Sequence, residues 1–343
     1  MKNVFAGKTV LVTGGTGSIG SDIVRQALEQ KAGKVIVFSR DEIKHFLIRK
    51  AISDDRLETV VGNVSDLCSI ERLFNRFDID IVYHAAAMKH VTICEDFPLE
   101  AVATNIVGTQ NMVDLAIRCG VSKMITISTD KAAYPVNVMG ATKFIAERIT
   151  LTANKISKND QAFSCVRFGN VAGSRGSVIP VYIDDLLNKR PLQVTDREVT
   201  RFAMEIPDAV RLIIKATEYA QGGEIFILKM RAFKLGDLID VMLERVAPRL
   251  SVSPESIQFR ATGLEIGEKL HEDLINDNES LRIYDLNDMY AVLPDSEAYV
   301  RYPAMKKVSL TRYASSDVEL ISREEMEEIV INYLKNRPLD LYL

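Results

Sequence analysis

The chain has 343 residues, 47% of them apolar and 26% charged, with a net charge of −4. These values are ordinary for a soluble globular enzyme, with room for one large α/β domain plus a smaller lobe, or for two domains. The slight acidity excludes a global basic footprint for nucleic acid, so no nucleic-acid partner is expected.

No run approaches the roughly 20 apolar residues that span a bilayer. The N-terminus, MKNVFAGKTVLVTGG, moves straight into a strand and lacks a signal-peptide layout. A cytoplasmic protein without a membrane partner is expected. Cys68, Cys94, Cys119 and Cys165 have no ligand spacing. They are expected to be buried reduced thiols, with no metal site.

Residues 9–13 form a β-branched apolar run bounded by glycines, which predicts a buried parallel strand. A helix is predicted over 21–29. Further strands are predicted at 35–39, 58–63, 79–85, 124–128 and 163–168, with amphipathic helices at 105–119 and 142–155. Strands alternating with helices imply a doubly wound parallel sheet. Past residue 173 the pattern loosens, with Pro180, Pro191, Pro207 and Pro254 as punctuation. Helices are still predicted at 209–219, 235–247 and 322–336, the last opening with a Ser-Arg-Glu-Glu capping box. The expected division is a dinucleotide-binding domain at 1–173 and a substrate lobe at 174–343, parts of which return to the main sheet. The segment 276–315 carries Tyr284, Tyr290, Tyr299 and Tyr302 without a role that the sequence defines.

Gly14, Gly17 and Gly20 satisfy GxxGxxG, and Gly15, Gly17 and Gly20 satisfy GxGxxG. The turn follows a strand and opens a helix, which is the context a dinucleotide site requires. Glycines let the backbone approach the pyrophosphate, and the helix N-terminus offers N–H groups to it. After the second strand stands Ser39-Arg40-Asp41 in place of a lone acid. Arg40 and Ser39 suit a 2′-phosphate and favour NADP over NAD. The alternative has Arg40 solvated and Asp41 on the ribose. Asn63 is placed at a strand end to meet the adenine. Ala85-Ala86-Ala87 gives a small-residue floor beneath the cofactor.

The blocks TGGTGSIG, FSRDE, HAAAMKHV, TNIVGTQN, STDKAAYPVNVMGATK, VRFGNVAGSRGSVIP and GEKLHE occur in that order. Together they resemble the extended short-chain dehydrogenase/reductases, and within them the UDP-N-acetylglucosamine 4,6-dehydratases. The resemblance covers roughly residues 5 to 275. It implies an α/β, Rossmann-like doubly wound parallel sheet with a smaller C-terminal substrate-binding lobe. It also implies a nicotinamide cofactor, a UDP-sugar substrate and a homo-oligomer, a dimer or higher, built on the helices at 105–119 and 142–155.

The resemblance assigns the cofactor to Gly14, Thr16, Gly17, Ser18, Ile19, Gly20, Ser39, Arg40, Asn63, Val64, Ala85, Ala86 and Lys143. It makes Asp130 the acid at the C6 hydroxyl, Lys131 the base at C5, and Thr129 the group that orients the sugar. Such enzymes write Tyr-x-x-x-Lys where this chain has Met139-x-x-x-Lys143. A thioether cannot carry a proton, so Met139 is expected beside the sugar without a proton-transfer role. Lys89, Asn170, Ser177, Val178, Pro180, Thr195, Arg201 and Glu268 are implied for the sugar nucleotide. Glu95 and Asn105 belong to segments that line the site in the family. Glu265-Ile266 stands where relatives carry Arg-Pro, which places a carboxylate near the expected diphosphate. A sugar-nucleotide 4-epimerase is the alternative, and C5 retention or inversion stays open.

Overall fold

A computed structural model describes residues 3–158, 160–295, 302 and 305–335. Tyr299 and Asn336, named above, lie outside the described residues. The strands are β1 (Thr9–Thr13), β2 (Lys34–Ser39), β3 (Leu57–Val61), β4 (Ile81–His84), β5 (Lys123–Thr129), β6 (Ala162–Phe168), β7 (Asn170–Ala172), β8 (Leu192–Val194), β9 (Thr200–Glu205), β10 (Ile225–Leu228), β11 (Arg231–Lys234), β12 (Phe259–Ala261), β13 (Ile283–Asp285), β14 (Met289–Val292) and β15 (Lys306–Lys307).

The chain divides into two compact units. The first comprises residues 1–168, 207–229 and 274–312, and the second comprises 169–206, 230–273 and 313–343. The first unit holds a sheet in the order β15-β13-β14-β10-β6-β5-β4-β1-β2-β3. From β3 through β10 every pairing is parallel. The far edge differs from the purely parallel expectation. β14 pairs antiparallel with β10 and β13, and β13 antiparallel with β15. The short link between β13 and β14 leaves no room for a crossover helix, so these strands can only reverse direction.

The central strands read as apolar runs because both faces are covered. Val10, Leu11, Val12, Val35, Ile36, Val37 and Phe38 are all fully buried. The helix predicted at 105–119 is interrupted: Val102–Val107 is π-helical and Gly108–Arg118 is α-helical. The final helix, Arg323–Lys335, carries the expected box, with Glu325 N donating to Ser322 Oγ and Ser322 N to the Glu325 carboxylate. The cysteines depart from expectation. Cys94 and Cys165 are buried, whereas Cys68 and Cys119 are exposed at helix ends.

A buried charge cluster lies beneath the sheet's centre. Arg167 of β6 is fully buried. It donates to Glu147 Oε1 at 3.0 Å and Oε2 at 2.6 Å, to Glu279 Oε2 at 2.7 Å and Oε1 at 2.9 Å, and to the Leu274 carbonyl at 2.8 Å. These contacts satisfy all five guanidinium N–H groups. Burial alone would lower the Arg167 pKa, but the two carboxylates outweigh it and hold it above the usual range. One cation thus ties β6 to the helix Val138–Thr152 and to the segment around the short helix Asp277–Ser280.

Arg167→Met should leave two buried carboxylates facing each other. A loss of about 3–5 kcal/mol is expected, measured by urea unfolding of the wild type and the variant.

Candidate active site

The first unit places the glycine turn against the exit of β4. Gly14 has φ +64°, and a Cβ there would sit 2.8 Å from the Ala85 and Ala86 backbone. A Cβ on Gly20 would sit 2.3 Å from the Gly14 carbonyl oxygen. The turn therefore stays bare and the strands and helix close on it. The helix Ser18–Glu29 starts after Gly17, which supplies no side-chain cap. The N-terminus of this helix points its dipole at the turn, which favours an anion there. The residues present fit a dinucleotide pyrophosphate.

Around the end of β2, Thr16 Oγ1 lies 2.9 Å from Ser39 Oγ, which lies 2.9 Å from His45 Nε2. Burial lowers the His45 pKa. His45 was missed in the sequence; its only trace is its place on the buried face of a helix just after Ser39. Arg40 is exposed. Asp41 caps the helix Glu42–Ala51, accepting from Lys44 N at 3.0 Å. The hydrogen bond from the Lys44 side chain holds its carboxyl below the usual range. Asn63 Oδ1 accepts from Ser65 N at 3.1 Å, and Val64 is buried against Gly108.

β5 ends at Thr129 and breaks into one 3-10 turn, Asp130–Ala132. The break matters because successive strand side chains point to opposite faces. In the turn, Lys131 Nζ reaches Asp130 Oδ1 at 3.1 Å. The same oxygen accepts from Thr129 Oγ1 at 2.7 Å and from Lys131 N at 2.8 Å. Asp130 is fully buried, and its Oδ2 has no hydrogen-bond partner. A buried carboxylate oxygen without a partner is costly.

Lys143 lies on the helix Val138–Thr152 and donates to the Ile127 carbonyl at 2.6 Å. Burial lowers its pKa, and Glu147, one turn on, opposes the shift. Asn137 caps this helix through Gly140 N at 2.7 Å. Gly140 is a second position that sequence reasoning passed over. A Cβ there would meet the Lys131 carbonyl oxygen at 2.5 Å, so glycine lets the Asp130–Ala132 turn rest on the helix. Met139 is buried in a small apolar cluster with Cys94 and Ala101. That packing, rather than an open surface, surrounds its thioether.

The loop after β4 is held from both sides. Asn105 accepts from Met88 N at 2.8 Å and donates to the Met88 carbonyl at 3.0 Å and to Thr142 Oγ1 at 2.9 Å. Glu95 accepts from Val138 N at 2.7 Å. Lys89 is exposed. His84 bridges Thr13 Oγ1 at 2.8 Å and Thr109 Oγ1 at 3.1 Å.

The second unit carries the residues implied for the sugar nucleotide other than Lys89. Arg201 is largely buried on β9 and pairs with Glu268 at 2.6 Å. It also donates to the Thr200 and Leu270 carbonyls. The sequence reading gave Arg201 and Glu268 to the ligand separately; the structure brings them to each other. Glu265 is exposed, and Glu268 is the carboxylate that meets the guanidinium. Asn170, Ser177 and Val178 line a mostly apolar cavity of about 30 Å³, with Phe233 and Met326. That holds water but not a sugar ring. Ser177 Oγ is buried without a hydrogen-bond partner. Pro180 is buried in the helix Val178–Leu187, and Thr195 is half-buried just after β8.

Residues 10–294 match the family described as polysaccharide biosynthesis protein. The chain belongs to this family. A family relative named UDP-N-acetylglucosamine 4,6-dehydratase (inverting), from Campylobacter jejuni, is 40% identical over 85% of this chain and 84% of its own. A Methanocaldococcus jannaschii protein named as an uncharacterized membrane protein is 42% identical, covering 97% of this chain and 99% of its own. A Rickettsia canadensis protein named UDP-glucose 4-epimerase is 34% identical over 97% and 98%. Among solved structures, Pen from Bacillus thuringiensis superposes with a TM-score of 0.89 at 38% identity, covering 96% of this chain and 99% of its own. Membership of the polysaccharide biosynthesis family bears out the resemblance drawn from the motif blocks. Among the described residues no helix is long and apolar enough to cross a membrane.

Burial, reinforced by the charge of Lys143, pushes His84 down to about 3. The unfolded chain therefore binds an extra proton between about pH 6.5 and 3, and stability falls as pH falls through that window. The contribution is about 1.4 kcal/mol per pH unit. Urea unfolding across this range should show a shallower acid slope for His84→Gln than for the wild type.

Proposed function

We propose that the protein is a nicotinamide-dependent UDP-N-acetylglucosamine 4,6-dehydratase, a hydro-lyase. The observation that carries this reading is the buried Asp130, with Thr129 and Lys131 on one oxygen and nothing on the other. Simple alcohol oxidation has no use for a carboxylic acid and an amine side by side. Elimination of water needs both an acid and a base.

When bound, the nicotinamide supplies a hydride acceptor for C4 of the hexose and later a hydride donor for C6. The residues of the chain handle the protons. Thr129 takes the C4 hydroxyl proton and passes it across its 2.7 Å hydrogen bond to Asp130. The C4 ketone acidifies the C5 proton, which Lys131 removes. Asp130 protonates the departing C6 oxygen, and water leaves. A proton then returns to C5 as hydride reaches C6. Protons balance: the one lost from the C4 oxygen leaves in the water. Lys143 would bind the nicotinamide ribose, where its positive charge would lower the barrier at the reacting end.

The bare turn of Gly14, Gly17 and Gly20, with Thr16, Ser18 and Ile19, would hold the pyrophosphate. Ser39 and Arg40 would receive the adenosine end, which favours NADP, with Asn63, Val64, Ala85 and Ala86 beneath it. For the UDP-sugar we propose Lys89, Asn170, Ser177, Val178, Pro180, Thr195 and Arg201. A diphosphate at Arg201 would compete with Glu268, so charge pairing there is exchanged rather than created. The printed name of the Campylobacter relative supports inversion at C5. We also propose a homo-oligomer acting in surface-glycan biosynthesis.

A second reading, sugar-nucleotide 4-epimerase, draws on the Rickettsia relative's name. Incubation with UDP-N-acetylglucosamine in deuterated water separates the two by proton NMR. A C6 methyl signal with deuterium at C5 is expected; a 4-epimer with an intact C6 carbinol would replace the dehydratase reading. Asp130→Asn and Lys131→Met should each lower turnover by about 10²- to 10⁴-fold. Gly140→Ala, which pushes on the Lys131 carbonyl, should cost on the order of tenfold or more in the same assay.

A further inference from the structure

The segment 274–280 found no role in the sequence, yet it is bonded to the catalytic turn at several points within the first unit. Asn276 caps the helix Asp277–Ser280 in a full capping box with Glu279. Its side chain is used twice: Oδ1 accepts from Glu279 N at 3.0 Å, and Nδ2 donates to the Ala133 carbonyl at 3.3 Å. Next to it, Asp277 N donates to Tyr134 Oη at 2.9 Å. Ala133 and Tyr134 directly continue the turn of Asp130 and Lys131.

The other end of the segment grips the helix that carries Lys143. The Glu279 carboxylate accepts from Asn276 N and from two nitrogens of Arg167. Arg167 in turn holds Glu147, one helical turn beyond Lys143. Leu274 adds its carbonyl to the same guanidinium. The segment therefore touches the outer end of the catalytic turn on one side and, through Arg167, the catalytic helix on the other.

From these contacts we propose that residues 274–280 form a strut that sets the distance between Asp130-Lys131 and Lys143, with Asn276 and Tyr134 as positioning residues. The proposal rests on the dehydratase reading. Inner hydrogen bonds fix Asp130 Oδ1, but they join it only to its sequence neighbours, Thr129 and Lys131. Thr129 belongs to β5 and the Lys131 carbonyl packs on Gly140, which seats the inner end of the turn. Ala133 and Tyr134 supply a second reference at its outer end. The chemistry needs it, because acid and base must address C6 and C5 of one ring in the same geometry in which C4 meets the nicotinamide.

Two substitutions isolate the strut while sparing the fold. Tyr134→Phe removes one acceptor from a partly exposed ring. Asn276→Asp keeps the oxygen that caps the helix and removes the N–H groups that reach Ala133. With UDP-N-acetylglucosamine as the probe, each variant should lose on the order of tenfold in kcat with KM little changed. The solvent deuterium isotope effect on kcat should rise, because misplaced proton transfers become limiting. The urea midpoints should stay near that of the wild type. Variants that match the wild type in kcat and isotope effect would overturn the strut. So would losses that follow the urea midpoint and move kcat and KM together. A wild-type protein inactive on this substrate would instead sink the reaction reading, and the strut with it.

Discussion

Three segments of the first unit converge on the buried guanidinium of Arg167. Arg167 sits on β6, a central strand of the sheet, and its five N–H groups need acceptors that water cannot supply. Glu147 and Glu279 meet that demand in paired, planar fashion, and the Leu274 carbonyl completes it. Burial lowers the Lys143 pKa, and Glu147, one of the two carboxylates on this guanidinium, opposes the shift. One side chain thus organises three chain segments: β6, the helix that carries Lys143, and the segment 274–280. An all-apolar core could match its stability but not its geometry, because only a planar fork fixes its partners in angle as well as distance.

The turn of Asp130 and Lys131 follows from an interruption of regular structure. β5 carries Thr129 to the end of the sheet, and the chain then folds once, so that two successive charged side chains share one oxygen. The bare face of Gly140 makes room for this turn on the neighbouring helix. Where regular strand geometry would have sent Asp130 and Lys131 apart, a few irregular residues bring them together.

Local features were the most legible in the sequence. The strand-turn-helix context of Gly14, Gly17 and Gly20, the Thr129-Asp130-Lys131 run and the box at Ser322 each declare themselves within a few residues. The Arg167 cluster could not be read in this way, because its partners lie 20 and 112 positions away and a lone glutamate on a helix looks like any solvated one. The antiparallel edge was hidden for a related reason: β13, β14 and β15 are two to four residues each, too short for periodicity to speak. The exposed Cys68 and Cys119 misled because a small apolar side chain at a helix end has no requirement to be inside.

The π-helical stretch Val102–Val107 has a further consequence for the chain. Its i→i+5 bonding accommodates one residue more than an α-helix of the same length. That extra residue sets the phase at which Asn105 faces Met88 and Thr142. Deleting any one residue here would restore a continuous α-helix and rotate everything upstream by about 100°, carrying the amide off both partners. Val102 and Val107 are themselves partly exposed, so their identities are only loosely constrained. Along these six positions the count of residues fixes the phase at which the Asn105 amide meets its partners.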